Sequence, residues 1–403
     1  MEVVTTRPDL LTALQPGRTD EHTEALFPEA KRRERHRRLI VLGLAVVVLG
    51  GTAIGYTASS RKVPPPTPIA ARSPAAPATL PSLPHGASFV LPNEPQSLVV
   101  GPNGALYVAD GNRILLRLPN GQFAVVAGTG EAGFSGDGRP AVDAELNDPG
   151  GMAFGPNGSL YVADSANGRV REIAPDGIIE TVAGGGRVPR SEARPGGLIP
   201  TGTEAVGARL VWPSDVAFGP DHLLSIADSG EEIVRLELNG TLTAIAGGPN
   251  ARCTGICGIG GPAVDAGTDA PDSIAFDRAG DLYVAGFANK SLLMVTPRGT
   301  MKVIFGSDFY PRSDGGLVTE PNGSVIGITG QNVVSISPTG MRVVYSFANH
   351  GFPFSHNAFM PNGIAVAPTG RIFLDTATGD GWTNLSVIAA LGTNDKPHLV
   401  WKS

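Results

Sequence analysis

Three aspartates occupy matching places in this sequence: Asp110, Asp164 and Asp228 close the segments LYVAD, LYVAD and LSIAD. Carboxylates repeated around a symmetrical fold are one way to hold a cation. An aspartate at a strand end also accepts hydrogen bonds from its own turn, or from a neighbouring arginine such as Arg169. The fourth copy, LYVAG, puts Gly286 at that place and so breaks any symmetrical ring. The three are therefore read as structural turn carboxylates, and no metal site is expected.

Histidine offers little more. His222, His350, His356 and His398 lie in the repetitive part of the chain, and of these His350 and His356 are neighbours, in HGFPFSH. A catalytic metal needs a third converging ligand, and none is identifiable. The two cysteines, Cys253 and Cys257, lie in the glycine-rich loop ARCTGICGIGG and are a candidate local disulfide. The run from Gly255 to Gly261 lacks the strand-to-helix setting of a phosphate cradle. No catalytic residue and no cofactor is assigned.

These residues sit on a repeat. PGGMAFGPNGSLYVAD from Pro149 reads as a short strand, a Pro-Asn-Gly turn and a second strand. The spacing recurs from Pro95, Pro213 and Pro271, and more faintly from Asp314 and Pro361. A period of roughly 40–50 residues is the signature of solenoids and propellers. Each copy carries four candidate strands, and four antiparallel strands joined by tight turns make one propeller blade. The expectation is an all-β, six-bladed β-propeller over residues 86–403, preceded by a single transmembrane helix and a Pro-rich stalk. The Asn-Gly-Ser/Thr sequons at Asn157, Asn239 and Asn322 read as turn geometry, which favours Asn-Gly.

The repeats resemble NHL repeats. The family pattern P-x-G-[VI]-A-x-x-x-x-G-x-L-Y-V-A-D-x-x-N-x-R-[IV] is met almost throughout residues 149–170, with Asn167 and Arg169 in place. The linker Ala127–Pro149 is similar to the inter-repeat loop of bacterial and teneurin-type NHL propellers, and its tail recurs before Pro213 and Pro271. The resemblance implies a propeller. It also reaches distant six-bladed enzymes, lactonases and amidating lyases, so a metal-dependent hydrolase or lyase is the alternative function.

Residues 1–38 are of mixed charge and read as a largely disordered tail ending in a basic run. From Leu39 to Ser60 no residue is charged. That length spans a hydrocarbon core of roughly 30 Å as a helix. Basic residues gather on its N-terminal side, which places that end in the cytoplasm. Residues 61–85 are Pro/Ala-rich, an extended linker. The expectation is a signal anchor in the cell membrane with the propeller outside it. A net charge of -6 without a basic face gives no reason to expect nucleic acid.

Within the repeats the short turns are tight, whereas the links from one unit to the next are long. Long loops on a rigid scaffold make binding surfaces. Phe134, Asp137, Trp212, Ile256, Phe352 and Phe354 are the candidate ligand-binding face, for an envelope or extracellular protein or a glycan. Against this stands the reading that the loops merely pack on one another over the ring.

Overall fold

The computed structural model describes residues 95–186, 199–230, 232–248, 256–268, 270–286, 290–305, 316–329, 332–346, 360–378, 385–391 and 397–402. The expected tail, transmembrane segment and stalk lie outside them. No helix among the described residues is long and apolar enough to cross a membrane.

The described residues form an all-β propeller. The first sheet is β1 (Pro95–Val100), β2 (Leu106–Asp110), β3 (Arg113–Arg117) and β4 (Phe123–Ala127). Next come β5 (Arg139–Pro140), β6 (Pro149–Phe154), β7 (Leu160–Asp164), β8 (Arg169–Ile173) and β9 (Ile178–Gly184). The third set is β10 (Thr203–Glu204), β11 (Pro213–Phe218), β12 (Leu224–Asp228), β13 (Glu232–Leu236) and β14 (Thr241–Ala246). A small ribbon, β15 (Ile256–Cys257) and β16 (Gly267–Thr268), precedes β17 (Pro271–Phe276), β18 (Leu282–Gly286), β19 (Ser291–Val295) and β20 (Met301–Phe305). Then follow β21 (Leu317–Thr319), β22 (Val325–Thr329), β23 (Asn332–Ser337) and β24 (Gly340–Ser346). The last sheet is β25 (Met360–Val366), β26 (Ile372–Thr378), β27 (Leu385–Leu391) and β28 (Pro397–Lys402).

Within each sheet the four main strands are hydrogen-bonded in chain order and antiparallel. The turns follow from their residues. Asn157 Oδ1 accepts the Ser159 amide, Asn239 Oδ1 that of Thr241 and Asn322 Oδ1 that of Ser324. The Asn of each sequon is thus held in its turn. Glycine follows at positive φ, as at Gly158 (79°). In the third copy His222 takes that place at φ 63°, which makes it a turn residue.

Adjacent sheets share cores. Ala109 and Ile114 of the first pack with Met152, Leu160 and Ile179 of the second. Leu98, Leu106 and Phe123 of the first also pack with Ala365 and Phe373 of the last. The tyrosine of LYVAD meets a phenylalanine of the following sheet edge-on, Tyr107 on Phe154 and Tyr161 on Phe218, with ring centroids 5.0 and 5.1 Å apart. Such a pair adds about 0.5–1.5 kcal/mol beyond its buried area. The four strands of the last sheet all come from the C-terminal repeat.

Candidate functional site: the long linkers

The linkers that carry the candidate face begin and end alike. Gly128 donates its amide to Ala141, Gly184 to Ala205 and Gly247 to Ala263. Three linkers of different length therefore close on one hydrogen bond. The alanines are buried, as are Ala144, Ala208 and Ala266 three residues on. A Cβ on Gly184 would lie 2.2 Å from the Gly168 carbonyl, so the chain must be bare there. Just ahead of the alanine that closes it, the linker lies along the outer edge of the sheet it is entering: β5 pairs with β9, β10 with β14, and Pro262 bridges to Thr300, next to the start of β20. The recurring A-V-D-A and A-V-G-A segments are thus scaffold. Between the buried alanines stands one outward valine each time: Val142, Val206 and Val264 are 44, 40 and 36% exposed.

The repeated aspartates sit where a linker becomes an inner strand. Asp228 is fully buried and accepts the amides of Val211 (2.8 Å) and Trp212 (2.7 Å). Asp164 accepts the Asn147 amide (2.8 Å), the Asn167 side chain (2.8 Å) and Arg171 Nη1 (3.3 Å). Burial raises both carboxyls above the usual range, and these hydrogen bonds oppose the rise. Asp110 is buried at the corresponding place. The arginine on Asp164 is Arg171, not Arg169, which instead stacks 3.6 Å above the Phe134 ring.

Phe134 and Asp137 are brought together by Arg171. Its Nη2 donates to Asp137 Oδ1 at 2.8 Å and to the Ser135 carbonyl at 3.1 Å, with its carbon 4.9 Å from the centre of Phe134. Thr181 also donates to Asp137. Ile256 is part-buried against the core of the third and fourth sheets, and Trp212 is half-buried with its amide on Asp228. Phe352, Phe354, His350 and His356 lie outside the described residues. Cys257 is disulfide-bonded, and the chain's other cysteine, Cys253, lies outside them.

Two features went unnoticed in the sequence. Glu232 is buried in the place Arg169 holds in the second copy, and it accepts the Ile199 amide (3.0 Å) where a linker returns. Burial pushes its carboxyl up to about 8, against the Ile199 bond and Arg209 and with the help of nearby Asp228. The second is a belt across the inner strands. Asp215 Oδ2 accepts from the Ser273 hydroxyl and the Ile274 amide, both at 2.9 Å, and Ser273 accepts the Leu317 amide at 3.0 Å. Asp215 fills the space left by Gly151, where a Cβ would lie 1.9 Å from Oδ1 and 2.7 Å from the Asp215 backbone. Gly151→Ala is expected to cost roughly 1–3 kcal/mol in chemical denaturation, the usual range for overpacking. An unchanged midpoint would show that the inner strands part freely.

Among the described residues no three His, Cys, Asp or Glu side chains gather as a metal would need.

Comparison with known proteins agrees with the repeat pattern. The family model for the Teneurin NHL domain matches residues 116–310. Residues 116–310 are thus similar to an NHL-repeat β-propeller domain. Teneurin-3 of Mus musculus is 30% identical over 224 residues, which is 50% of this chain and 8% of that protein. Teneurin-m of Drosophila melanogaster is 32% identical over 220 residues, 49% of this chain and 8% of its own length. The NHL match thus spans a small part of these relatives. Among solved structures, a catalytically inactive virginiamycin B lyase from Staphylococcus aureus with quinupristin aligns at TM-score 0.46 and 15% identity, covering 78% of this chain and 86% of that one.

Proposed function

We propose that this chain is a six-bladed NHL propeller acting as a binding or scaffold module through its long-linker face. In this reading residues 39–60 anchor it in the cell membrane, and the stalk at 61–85 holds the ring outside, toward an envelope or extracellular protein or a glycan. Six successive sheets, with a core shared by the first and last, support the blade count.

The observation that carries the binding role is what the linkers leave uncovered. Their recurring parts are docked, yet Phe134 and Val211 remain 41 and 44% exposed beside the three matching valines. Exposed apolar side chains that form a contiguous patch mark an interaction surface, and in this reading these do. The experiment is affinity capture from the native envelope with the full chain, compared with a Phe134→Ser/Val211→Ser variant. Specific recovery of a partner should fall at least tenfold while the melting temperature stays within a degree or two. Undiminished recovery by a folded variant would refute a role for this face.

A further inference from the structure

At one place the seam between the last sheet and the first carries charge where the other seams are apolar. Residues opposite each other on neighbouring strands share one face of a sheet. Arg117 on β3 is opposite Phe123 on β4, and Phe123 packs with Ala365, Ala367 and Phe373 of the last sheet. The side chain of Arg117 is therefore turned toward that sheet. In the four sheets that follow, the same place is held by Ile173, Leu236, Val295 and Ile336, all buried.

Across the seam stands a second arginine. Arg371 closes the turn that begins at Ala367, its carbonyl accepting the Ala367 amide at 2.8 Å. Its guanidinium lies over the Phe373 ring, 5.3 Å from the centre, and so on the side that faces the first sheet. Ala105, Ser159, Leu223, Asp281 and Ser324 close this turn in the other copies, and none is basic. Burial and the nearness of Arg371 both push the Arg117 guanidinium below its ordinary value. The Nε of Arg117 is buried without a hydrogen-bond partner. Among the described residues no carboxylate pairs with either arginine. Like charges facing one another weaken a seam, and an unpaired buried donor adds to the cost.

We infer that Arg117 and Arg371 hold a tetrahedral oxyanion, phosphate or sulfate, that joins the first sheet to the last. Each guanidinium offers a planar fork of N–H donors, and a tetrahedral oxyanion has oxygens enough for two forks. A carboxylate, with two oxygens, fills one. The ring has a use for such a clasp. All four strands of the last sheet come from the C-terminal repeat, so among the described residues no strand crosses this seam. Both arginines stand beside short turns, Leu118–Gln122 and Ala367–Arg371, at the end of the sheets away from the long linkers. The inference is independent of the linker-face reading.

The test uses the full chain in non-ionic detergent, with inorganic phosphate in a chloride buffer as the probe. Phosphate should bind saturably by calorimetry and raise the melting temperature as it does so. Arg117→Ile, which copies the second sheet, and Arg371→Ser should each weaken that binding at least tenfold. Arg371 is exposed, so its variant folds whatever the seam tolerates at position 117. Methyl phosphate separates two sources of the same chemistry, and saturable binding of either probe supports the site. Tenfold tighter binding of methyl phosphate would put the anion on a larger molecule, and equal or weaker binding would make the free ion the occupant. No saturable response in the parent, or an equal one in both variants, would overturn the proposal.

Discussion

Arg171→Ala is expected to destabilise the ring by about 3–5 kcal/mol, the usual cost of removing one partner of a buried ion pair. Arg171 is fully buried, as is Asp164, its partner at 3.3 Å, whereas Asp137, at 2.8 Å, is more than a third exposed. Truncation would leave Asp164 charged in an apolar setting and release the linker from the sheet it enters. The neighbouring copies show what else the position accepts: Leu115, Val234 and Leu293 stand there, all buried. In the fourth copy Ile259, as far ahead of Pro271 as Asp137 is of Pro149, takes the place of Asp137 and is 44% exposed. The double change Arg171→Leu/Asp137→Ile should therefore recover at least half of the loss, because it replaces charges with the fourth copy's apolar pair. Urea denaturation of the three variants decides this. A double variant no better than the alanine would mean that the apolar pair cannot stand in for the ion pair here.

The strands and turns were legible because each copy writes both periodicities openly. LYVAD gives a buried strand, and Pro-Asn-Gly gives a turn whose asparagine and left-handed glycine have one geometry. The role of the linkers was only half legible. Their shared tail looks like a family mark, and its cause lies in alanines buried where each linker docks, which no single copy reveals. Arg171 was passed over because a charge inside R-V-R-E-I reads as an outward side chain; only the linker folding back makes it interior. Asp215 was hidden differently. It stands where other copies have Gly or Ser, and its partners, Gly151 and Ser273, are 64 and 58 residues away in sequence. Contacts between neighbouring copies follow the spacing of the repeats, so a substitution in one copy is explained by what the next copy lacks.

Glu232 extends the same point to pH. Its ordinary value is 4.5, and in the folded ring burial lifts it to about 8. Between these values the folded chain keeps a proton that the unfolded chain has lost. Stability is then full below about pH 4.5, falls as pH rises, and levels off above about pH 8. At about 1.4 kcal/mol per unit the loss is on the order of 5 kcal/mol. Neutral Glu232 is the form the site favours, since above pH 8 a second carboxylate would lie near Asp228 with Arg209 as the opposing charge. Glu232→Gln keeps an oxygen for the Ile199 amide and removes the titration. The variant should match the parent near pH 4.5 and exceed it by a few kcal/mol at pH 9, when both are unfolded in urea across that range. Parallel curves for the two proteins would show that water reaches Glu232 and keeps its carboxyl in the ordinary range, with the linker at Ile199 standing away from the sheet.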